Sequence, residues 1–191
     1  MSDLASALPE AASSGYVLVE EAGLVGMITL RGDLGSSGFS SAVREQTGVD
    51  IPERGQRIES GENALLWMSP DELLVVCPHE TASAVESGLQ RALQQEHALV
   101  ANVSDARAVF TLSGDAALIR DALAKLTPAD LRRDVLPVGA VRRTRLSQVP
   151  AAMWFDAEDR ATIVCFRSVA QYVFDLLEMA TATGSEVGYF R

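Results

Sequence analysis

Met-Ile-Thr-Leu-Arg-Gly-Asp at residues 27–33 and Val-Phe-Thr-Leu-Ser-Gly-Asp at residues 109–115 are two copies of one short stretch of the sequence. The apolar run in each copy predicts a buried β-strand. The Gly-Asp pair that ends each copy predicts a turn into a helix, because Asp is a preferred helix-capping residue. We therefore interpret the two copies as the same strand and turn of a structural unit that is used twice.

The sequence downstream of the two copies repeats as well. Residues 39–51 align with residues 119–131, and residues 64–77 align without a gap with residues 152–165. In each half the apolar pattern predicts the order strand, helix, strand, strand, helix, strand, which is the split β-α-β arrangement of ferredoxin-like folds. We therefore predict an α+β fold built from two internally duplicated ferredoxin-like units.

The chain is predicted to have three segments. Residues 1–15 are rich in Ala and Ser without an apolar period, which predicts a loose arm. Residues 16–105 are predicted to form the first α+β unit and residues 106–191 the second, with the two packed as one compact body. Within the first unit, residues 16–30 have the pattern of two strands joined by a turn at Ala22-Gly23, which predicts an antiparallel pair.

The second unit carries two further local signals. Ser168 and Gln171 have the spacing of a capping box at the start of the last long helix. Residues 187–190, at the end of the chain, are predicted to add an edge strand.

The charge and hydropathy of the chain exclude two classes of partner. The net charge of −10 argues against nucleic acid, since binding to phosphates depends largely on clustered Lys and Arg. The sequence contains no run near the ~18 apolar residues of a membrane span, and Asp3 and Glu10 lie where a signal peptide would be basic and apolar. We therefore expect a cytoplasmic protein.

The cysteine and histidine positions give no indication of a metal site. Cys77 and Cys165 end corresponding apolar strands, which favours small buried core residues, although a disulfide is not excluded. His79 and His97 flank a predicted helix and therefore lie at its opposite ends, without Cys or carboxylate ligands at a suitable spacing. We predict no metal on this chain.

The sequence also shows no pattern typical of a catalytic or cofactor site. Gly32, Gly35 and Gly38 are spaced as G-x-x-G-x-x-G, which differs from the dinucleotide-binding spacing and favours a flexible turn. Asp71 and Glu72 are adjacent carboxylates on a predicted hairpin turn, and neighbours on a turn usually point into water rather than into one site. We predict neither catalytic nor cofactor-binding residues.

The basic residues suggest a surface for a protein partner. Fifteen of the sixteen are Arg, and five of these Arg fall within fourteen residues. One interpretation is a solvated turn and strand; the other is an ion-paired interface, because Arg is enriched at interfaces and Lys is depleted. The exposed part of the 66–72 hairpin offers a Trp, another residue type common in interface anchors. The candidate interface residues are Trp67, Asp71, Glu72, Arg132, Arg133, Arg142, Arg143 and Arg145.

Four phrases of the sequence resemble the gamma-subunit family of heterotetrameric sarcosine oxidase. They are Leu-Trp-Met-Ser-Pro-Asp-Glu-Leu-Leu-Val-Val at residues 66–76, Val-Ser-Asp-Ala-Arg-Ala-Val-Phe-Thr-Leu-Ser-Gly at 103–114, Thr-Pro-Ala-Asp-Leu at 127–131 and Phe-Arg-Ser-Val-Ala-Gln-Tyr-Val-Phe-Asp-Leu-Leu at 166–177. The phrases occur in the right order and at the right spacing. The resemblance covers roughly residues 20–180.

This resemblance implies membership of an oxidoreductase complex in sarcosine catabolism and one-carbon metabolism. Enzymes of this family demethylate sarcosine to glycine, form hydrogen peroxide, and transfer the one-carbon unit to tetrahydrofolate as 5,10-methylenetetrahydrofolate. In the family, FAD and covalent FMN are associated with the beta subunit, NAD and the folate site with the alpha subunit, and zinc with the delta subunit. The resemblance thus implies alpha, beta and delta partners, with alpha the main contact, and a gamma subunit that carries no cofactor.

The gamma-subunit family is itself similar in fold to the folate-binding aminomethyltransferase family. This chain is about half as long as those enzymes, and their acidic motif before a Gly pair has no counterpart here. The alternative function is a free-standing folate-binding or aminomethyltransferase-like protein, in which Asp105, Asp71 or Glu72 would have to line a pocket. Tetrahydrofolate binding by the isolated chain would distinguish this alternative from a structural subunit.

Overall fold

The computed structural model of the chain describes residues 4–190 and divides them into two units. Residues 24–105 form one unit, which we call the inserted unit. Residues 4–23 and 106–190 together form the other, which we call the flanking unit. The boundaries therefore differ from the predicted 16–105 and 106–191, because the residues before Leu24 belong with the second half of the chain.

The two units share the order strand, helix, three strands, helix. The flanking unit has two further strands before this order, and the inserted unit has one further strand after it. The flanking unit begins with two strands, β1 (Ala12–Ser14) and β2 (Leu18–Glu21). The inserted unit contains β3 (Val25–Arg31), α1 (Ser37–Thr47), β4 (Arg57–Ser60), β5 (Asn63–Ser69), β6 (Glu72–Pro78), α2 (Ala82–Ala92) and β7 (Leu99–Asn102). The flanking unit continues with β8 (Arg107–Ser113), α3 (Ala116–Ala124), β9 (Val141–Leu146), β10 (Val149–Ala157), β11 (Arg160–Phe166) and α4 (Ala170–Thr181).

The inserted unit is an antiparallel sheet with two helices packed on it. Its strand order is β4-β5-β6-β3-β7, which is the ferredoxin-like order with β4 added at one edge. Ile28 and Leu30 alternate along β3 toward the helices and pack with Phe39 and Val43 of α1 and Leu89 of α2. Because all five side chains are fully buried, this layer is the core of the unit.

The flanking unit repeats this arrangement with one change of connection. Its strand order is β1-β2-β8-β11-β10-β9. β2 lies antiparallel beside β8, just as β7 lies antiparallel beside β3 in the inserted unit. The fourth strand of the ferredoxin-like motif therefore comes from before the unit's first strand rather than from after its last helix. The predicted antiparallel pair within residues 16–30 and the predicted strand at residues 187–190 are both absent from the described residues.

The hairpins of the two units share one register. Ala64 pairs with Val76, and Ala152 pairs with Val164, 88 residues later in both strands. Each hairpin also has its irregularity at the same place, after Trp67 and after Phe155. The duplication expected from the sequence is therefore present in the strand pairing itself.

The described part of the predicted loose arm is fastened to the flanking unit. Arg167 Nη2 donates hydrogen bonds to the carbonyls of Ala5 and Ser6, both at 2.9 Å. Ser6 Oγ donates to Glu21 Oε2 at 2.9 Å, and Leu8 packs against the core. A few anchors on neighbouring elements thus hold a segment whose composition alone predicts no order. Residues 1–3 of the predicted arm lie outside the described residues.

The helix starts agree with the sequence at one place and differ at two. At the start of α1 the capping residue is Ser36, whose Oγ accepts the amide of Phe39, rather than the expected Asp33. Asp115 accepts two amides at the start of α3. Asp115 is the capping residue expected from the repeated Gly-Asp. The capping box predicted from Ser168 does not form, because residues 167–169 make a 3₁₀ turn and α4 begins after Val169 without a side-chain cap.

The two cysteines are free and buried, as expected for core residues. Burial raises the pKa of both thiols, and raises the pKa of Cys165 to about 11. No helix within the described residues is both long and apolar enough to cross a membrane.

The Cys165 thiol is expected to make the protein less stable at alkaline pH. The folded state retains its proton up to about pH 11, whereas the unfolded chain loses it near 9.0. The free energy of unfolding should therefore fall between these two pH values, by about 1.4 kcal/mol per pH unit. Denaturant titrations across this range will measure the slope. In Cys165→Ala this part of the slope should be absent, and equal slopes in the two proteins would contradict the assignment.

Candidate functional site

The 66–72 hairpin is the first part of the predicted interface. β5 and β6 join through Ser69 and Glu72, as the Ser-Pro-Asp-Glu turn predicts. Asp71 is exposed, whereas the Glu72 side chain is only 14% exposed and lies 3.1 Å from Arg31 Nη2. The same Arg31 nitrogen lies 3.9 Å from Asp71. One arginine of β3 therefore neutralises both carboxylates. The sequence predicts that Glu72 points into water, and this prediction is wrong.

Trp67, on the same hairpin, is half-buried. Its side chain packs against the core of the inserted unit. The guanidinium carbon of Arg54 lies 5.8 Å from the centre of its ring, within the range of a cation–π contact. Trp67 is therefore a partly buried residue at the border of the core.

Arg132 and Arg133, at the start of the predicted basic segment, are in exposed ion pairs within the chain. Arg132 makes a bidentate pair with Asp130, with a shortest separation of 2.7 Å. Hydrogen bonds from Arg132 lower the pKa of Asp130, and the same contact raises the pKa of Arg132. Arg133 Nη2 lies 3.3 Å from Glu158 Oε2. These two arginines therefore fit the solvated interpretation of the basic segment.

The other three arginines of the segment lie on β9, the edge strand of the sheet. Side chains alternate across a strand, so Arg143 and Arg145 share one side and Arg142 is on the other. Arg142 is half-buried, and its Nη2 lies 3.4 Å from the carbonyl of Val135. Arg143 and Arg145 are exposed. The five predicted arginines therefore lie in three environments, and Arg143 and Arg145 are exposed on one side of β9.

A pair of buried charged residues on α3 escaped the sequence analysis. Arg120 and Asp121 are each 1% exposed. Arg120 Nη1 donates to the carbonyls of Leu131 and Leu136, and its guanidinium lies 4.0 Å from the ring centre of Phe155. Burial lowers the pKa of Arg120. The signal available in the sequence was an Arg-Asp pair within an otherwise apolar helix, where charged residues are normally exposed.

Asp121 holds the segment that follows α4. Its carboxylate accepts the backbone amides of Gly188, Tyr189 and Phe190 at 2.6–3.3 Å. Lys125, which caps the end of α3, donates to the carbonyl of Ser185 at 2.5 Å. The charged residues of this helix therefore bind backbone groups of their own chain, which is a structural role.

The remaining candidate site residues are the side chains that could bind a metal ion. Among residues 4–190, no cluster of three or more His, Cys, Asp or Glu side chains could hold a metal ion. His79 Nε2 lies 3.9 Å from Asp105 Oδ1, and both side chains belong to the inserted unit. His97 follows α2 at its opposite end from His79, as predicted.

Residues 31–183 match the sequence model of a family described as "Sarcosine oxidase, gamma subunit family". The chain belongs to the sarcosine oxidase gamma subunit family. The resemblance expected over roughly residues 20–180 is therefore confirmed from residue 31 onward.

Individual members of the gamma subunit family support this assignment. The sarcosine oxidase subunit gamma of Corynebacterium sp. (strain P-1) is 34% identical over 157 residues, which cover 81% of this chain and 75% of the relative. The corresponding subunit of Arthrobacter sp. is 32% identical over 157 residues, with the same coverage of 81% and 75%.

Solved structures resemble both the family and its fold. The heterotetrameric sarcosine oxidase from Corynebacterium sp. U-96, in complex with pyrrole 2-carboxylate, contains a chain that matches with a TM-score of 0.79 and 30% identity, covering 89% of this chain and 87% of that chain. The glycine cleavage system aminomethyltransferase T of Bartonella henselae matches with a TM-score of 0.59 and 16% identity, covering 85% and 46%. The second likeness shows the fold alone, and it confirms the predicted resemblance of the gamma subunit family to that enzyme's fold.

Proposed function

We propose that this gamma subunit carries no active site and that it docks on the folate-binding part of the alpha subunit of a cytoplasmic sarcosine oxidase. The observation that carries the proposal is the match to a chain of the heterotetrameric enzyme over 89% of this chain. In this proposal the complex also contains beta and delta subunits. FAD, FMN, NAD, zinc and tetrahydrofolate are held by the partners, where sarcosine is demethylated to glycine with formation of hydrogen peroxide.

The contacts of the charged residues support a structural role for the chain. Arg120, Asp121 and Lys125 bind backbone groups of neighbouring segments, and Arg31 holds both carboxylates of the 66–72 hairpin. A charge that already binds the chain's own groups serves the fold, whereas a catalytic group needs to be directed at a substrate.

Co-purification of the tagged, full-length chain from its native cells tests the proposal. We expect three partner chains, corresponding to the alpha, beta and delta subunits. We also expect a flavin absorption spectrum and peroxide formation that depends on sarcosine. Tetrahydrofolate should bind to the purified complex but not to the isolated chain in a calorimetric titration. A lone colourless protein that binds tetrahydrofolate with micromolar affinity would contradict the proposal and would favour the free-standing folate-binding protein.

Arg143 and Arg145 are exposed on the same side of the edge strand β9, and in this proposal they contact a partner subunit. Reversing both charges in Arg143→Glu/Arg145→Glu is expected to weaken assembly about tenfold or more, because like charges then oppose each other across the contact. Arg142 is excluded from this variant, since its half-buried side chain contacts the Val135 carbonyl.

The affinity for the partner subunits can be measured by titration of the tagged chain against the complex that lacks it. Arg160→Glu, which alters an exposed arginine of β11 in the same sheet, is the control and should leave the affinity unchanged. Equal affinities of the double variant and the control would remove Arg143 and Arg145 from the interface.

A further inference from the structure

β9 is an open edge of the sheet in the flanking unit. It is the last strand in the order β1-β2-β8-β11-β10-β9, and among the strands of residues 4–190 it pairs with β10 alone. The amides and carbonyls on the outer side of an edge strand have no partner in the sheet, so they can bind another extended chain. Arg143 and Arg145 are exposed residues of β9, so an added strand can reach the backbone at these two positions.

The pairing with β10 shows which backbone groups of β9 face outward. Arg145 lies opposite Pro150, whose nitrogen carries no hydrogen and cannot donate to the Arg145 carbonyl. Hydrogen-bonded and non-hydrogen-bonded positions alternate along an antiparallel pair, so Arg145 and Arg143 are both at non-hydrogen-bonded positions. The amide of Ser147, two residues further along, likewise donates to the carbonyl of Leu126 and not to β10. The amides and carbonyls of Arg143 and Arg145 therefore point away from β10.

The edge strand β7 of the inserted unit is blocked by side chains of α2. Glu86 Oε1 accepts the amide of Asn102 at 3.0 Å, and Gln90 Nε2 lies 3.5 Å from the carbonyl of Val100. These two side chains occupy backbone groups that an added strand would need. Among residues 4–190, no side chain hydrogen-bonds to the backbone of Arg145, so the edge of β9 is not blocked in this way.

β9 carries three positive charges and no negative charge. Arg142, Arg143 and Arg145 are three of its six residues. On β4, the edge strand at the corresponding position of the inserted unit, Arg57 Nη2 lies 2.6 Å from Glu59 Oε2, and the two charges neutralise each other. Opposite charges on neighbouring strands stabilise their pairing, whereas like charges destabilise it. A strand added to β9 therefore needs acidic side chains, and a second copy of β9 does not meet this requirement.

We propose that the edge of β9 binds an extended acidic segment of another subunit of the oxidase as an added strand. This inference rests on the proposed role of the chain as a subunit of the complex. The outward amides and carbonyls of Arg143 and Arg145 hydrogen-bond to the backbone of the segment, and the arginine side chains pair with its carboxylates. The contact of β9 with its partner thus has a main-chain part in addition to the attraction between charges.

Arg145→Pro and Arg145→Ala are a matched pair of variants that test the main-chain part. Both remove the charge, but only Pro also removes the outward amide. Pro is tolerated on an edge strand where its nitrogen faces away from the neighbouring strand, so the fold should be retained, and the fluorescence of Trp154 on β10 checks this. We expect Arg145→Pro to bind the partner subunits about tenfold or more weakly than Arg145→Ala. Equal affinities of the two variants would overturn the added strand and leave the proposed function intact.

Hydrogen exchange of the unaltered chain tests the added strand without a substitution. In the isolated chain the amides of Arg142 and Thr144, which face β10, should be protected, whereas those of Arg143 and Arg145 should exchange rapidly. Assembly with the partner subunits should slow exchange at Arg143 and Arg145 about tenfold or more. Rapid exchange of both amides in the assembled complex would show that no strand pairs with this edge.

A photo-crosslinking residue in place of Gln148 identifies the occupant. Gln148 is exposed in the turn between β9 and β10, so its replacement leaves the edge and its charges intact. In the assembled complex we expect a crosslink to one stretch of another subunit that is rich in Asp and Glu. A crosslink to a second copy of this chain, or to a segment without acidic residues, would overturn the assignment. If the unaltered chain fails to assemble at all, the proposed function fails and the added strand fails with it.

Discussion

Arg120→Ala is expected to lower the free energy of unfolding by about 2–4 kcal/mol. The substitution removes a fully buried side chain that packs on Phe155, which leaves a cavity. It also leaves the carbonyls of Leu131 and Leu136 without their donor, at about 1 kcal/mol each. Part of this loss is offset, because the Nε and Nη2 atoms of Arg120 are buried without a hydrogen-bond partner within residues 4–190.

Each unit contains one tryptophan, which allows its unfolding to be followed separately. Trp154 lies on β10 of the flanking unit, and Trp67 lies on β5 of the inserted unit. Arg120→Ala should therefore be measured in guanidinium chloride in a Trp67→Phe background, so that the fluorescence of Trp154 reports on the flanking unit alone.

Two further variants separate the causes of this loss. Arg120→Met keeps most of the buried volume and removes the charge, and it should cost less than half as much as Arg120→Ala. Arg160→Ala, at an exposed arginine of the same unit, should change the stability by less than about 0.5 kcal/mol. If Arg120→Ala is as stable as Arg160→Ala, then the buried guanidinium does not hold the 131–136 segment.

Asp121→Asn is expected to release residues 185–190 and to destabilise the flanking unit by about 2–4 kcal/mol. The carboxylate accepts three backbone amides, and hydrogen bonds to a charged acceptor contribute about 1.5–3 kcal/mol each. The amide of Asn has the same shape, but it carries a single oxygen and places two donors against the amides of the segment.

Hydrogen exchange of the amides of Gly188 and Tyr189 measures this release directly. In Asp121→Asn these amides should exchange much faster than in the unaltered chain, while amides in the middle of the sheet stay protected. Asp175→Asn makes the same chemical change at an exposed position of α4 and should alter neither stability nor exchange. Unchanged protection of residues 188 and 189 in Asp121→Asn would show that other contacts hold the segment.

The duplication could be predicted from the sequence because the spacing was preserved through an entire hairpin. Residues 64–77 and 152–165 align without a gap, and the structure gives them the same strand register. The partner of β2 could not be predicted in the same way. Alternating apolar residues indicate that a segment is a strand, but they do not indicate which strand lies beside it. Both neighbours of β3 turned out to lie downstream, so β2 pairs with β8 instead.

The predicted interface stays a prediction, but its residues do not share one environment, because proximity in sequence is not proximity on a surface. Arg132 and Arg133 lie in a turn region and Arg143 lies on an edge strand, so their environments differ although they are at most eleven positions apart. The buried Arg120 and Asp121 were missed for another reason. Their partners are backbone groups of distant segments, and a backbone group leaves no trace in the residue type.

The pairing of β2 with β8 affects the order in which the protein becomes structured during its synthesis. Leu18 pairs with Ser113, so the ribosome must complete the whole of residues 24–105 before β2 can meet its partner strand. At typical rates of translation this takes several seconds, which is enough time for the inserted unit to fold first. During that interval β2 can pair only with β1, and its other edge becomes protected when the later half of the chain emerges.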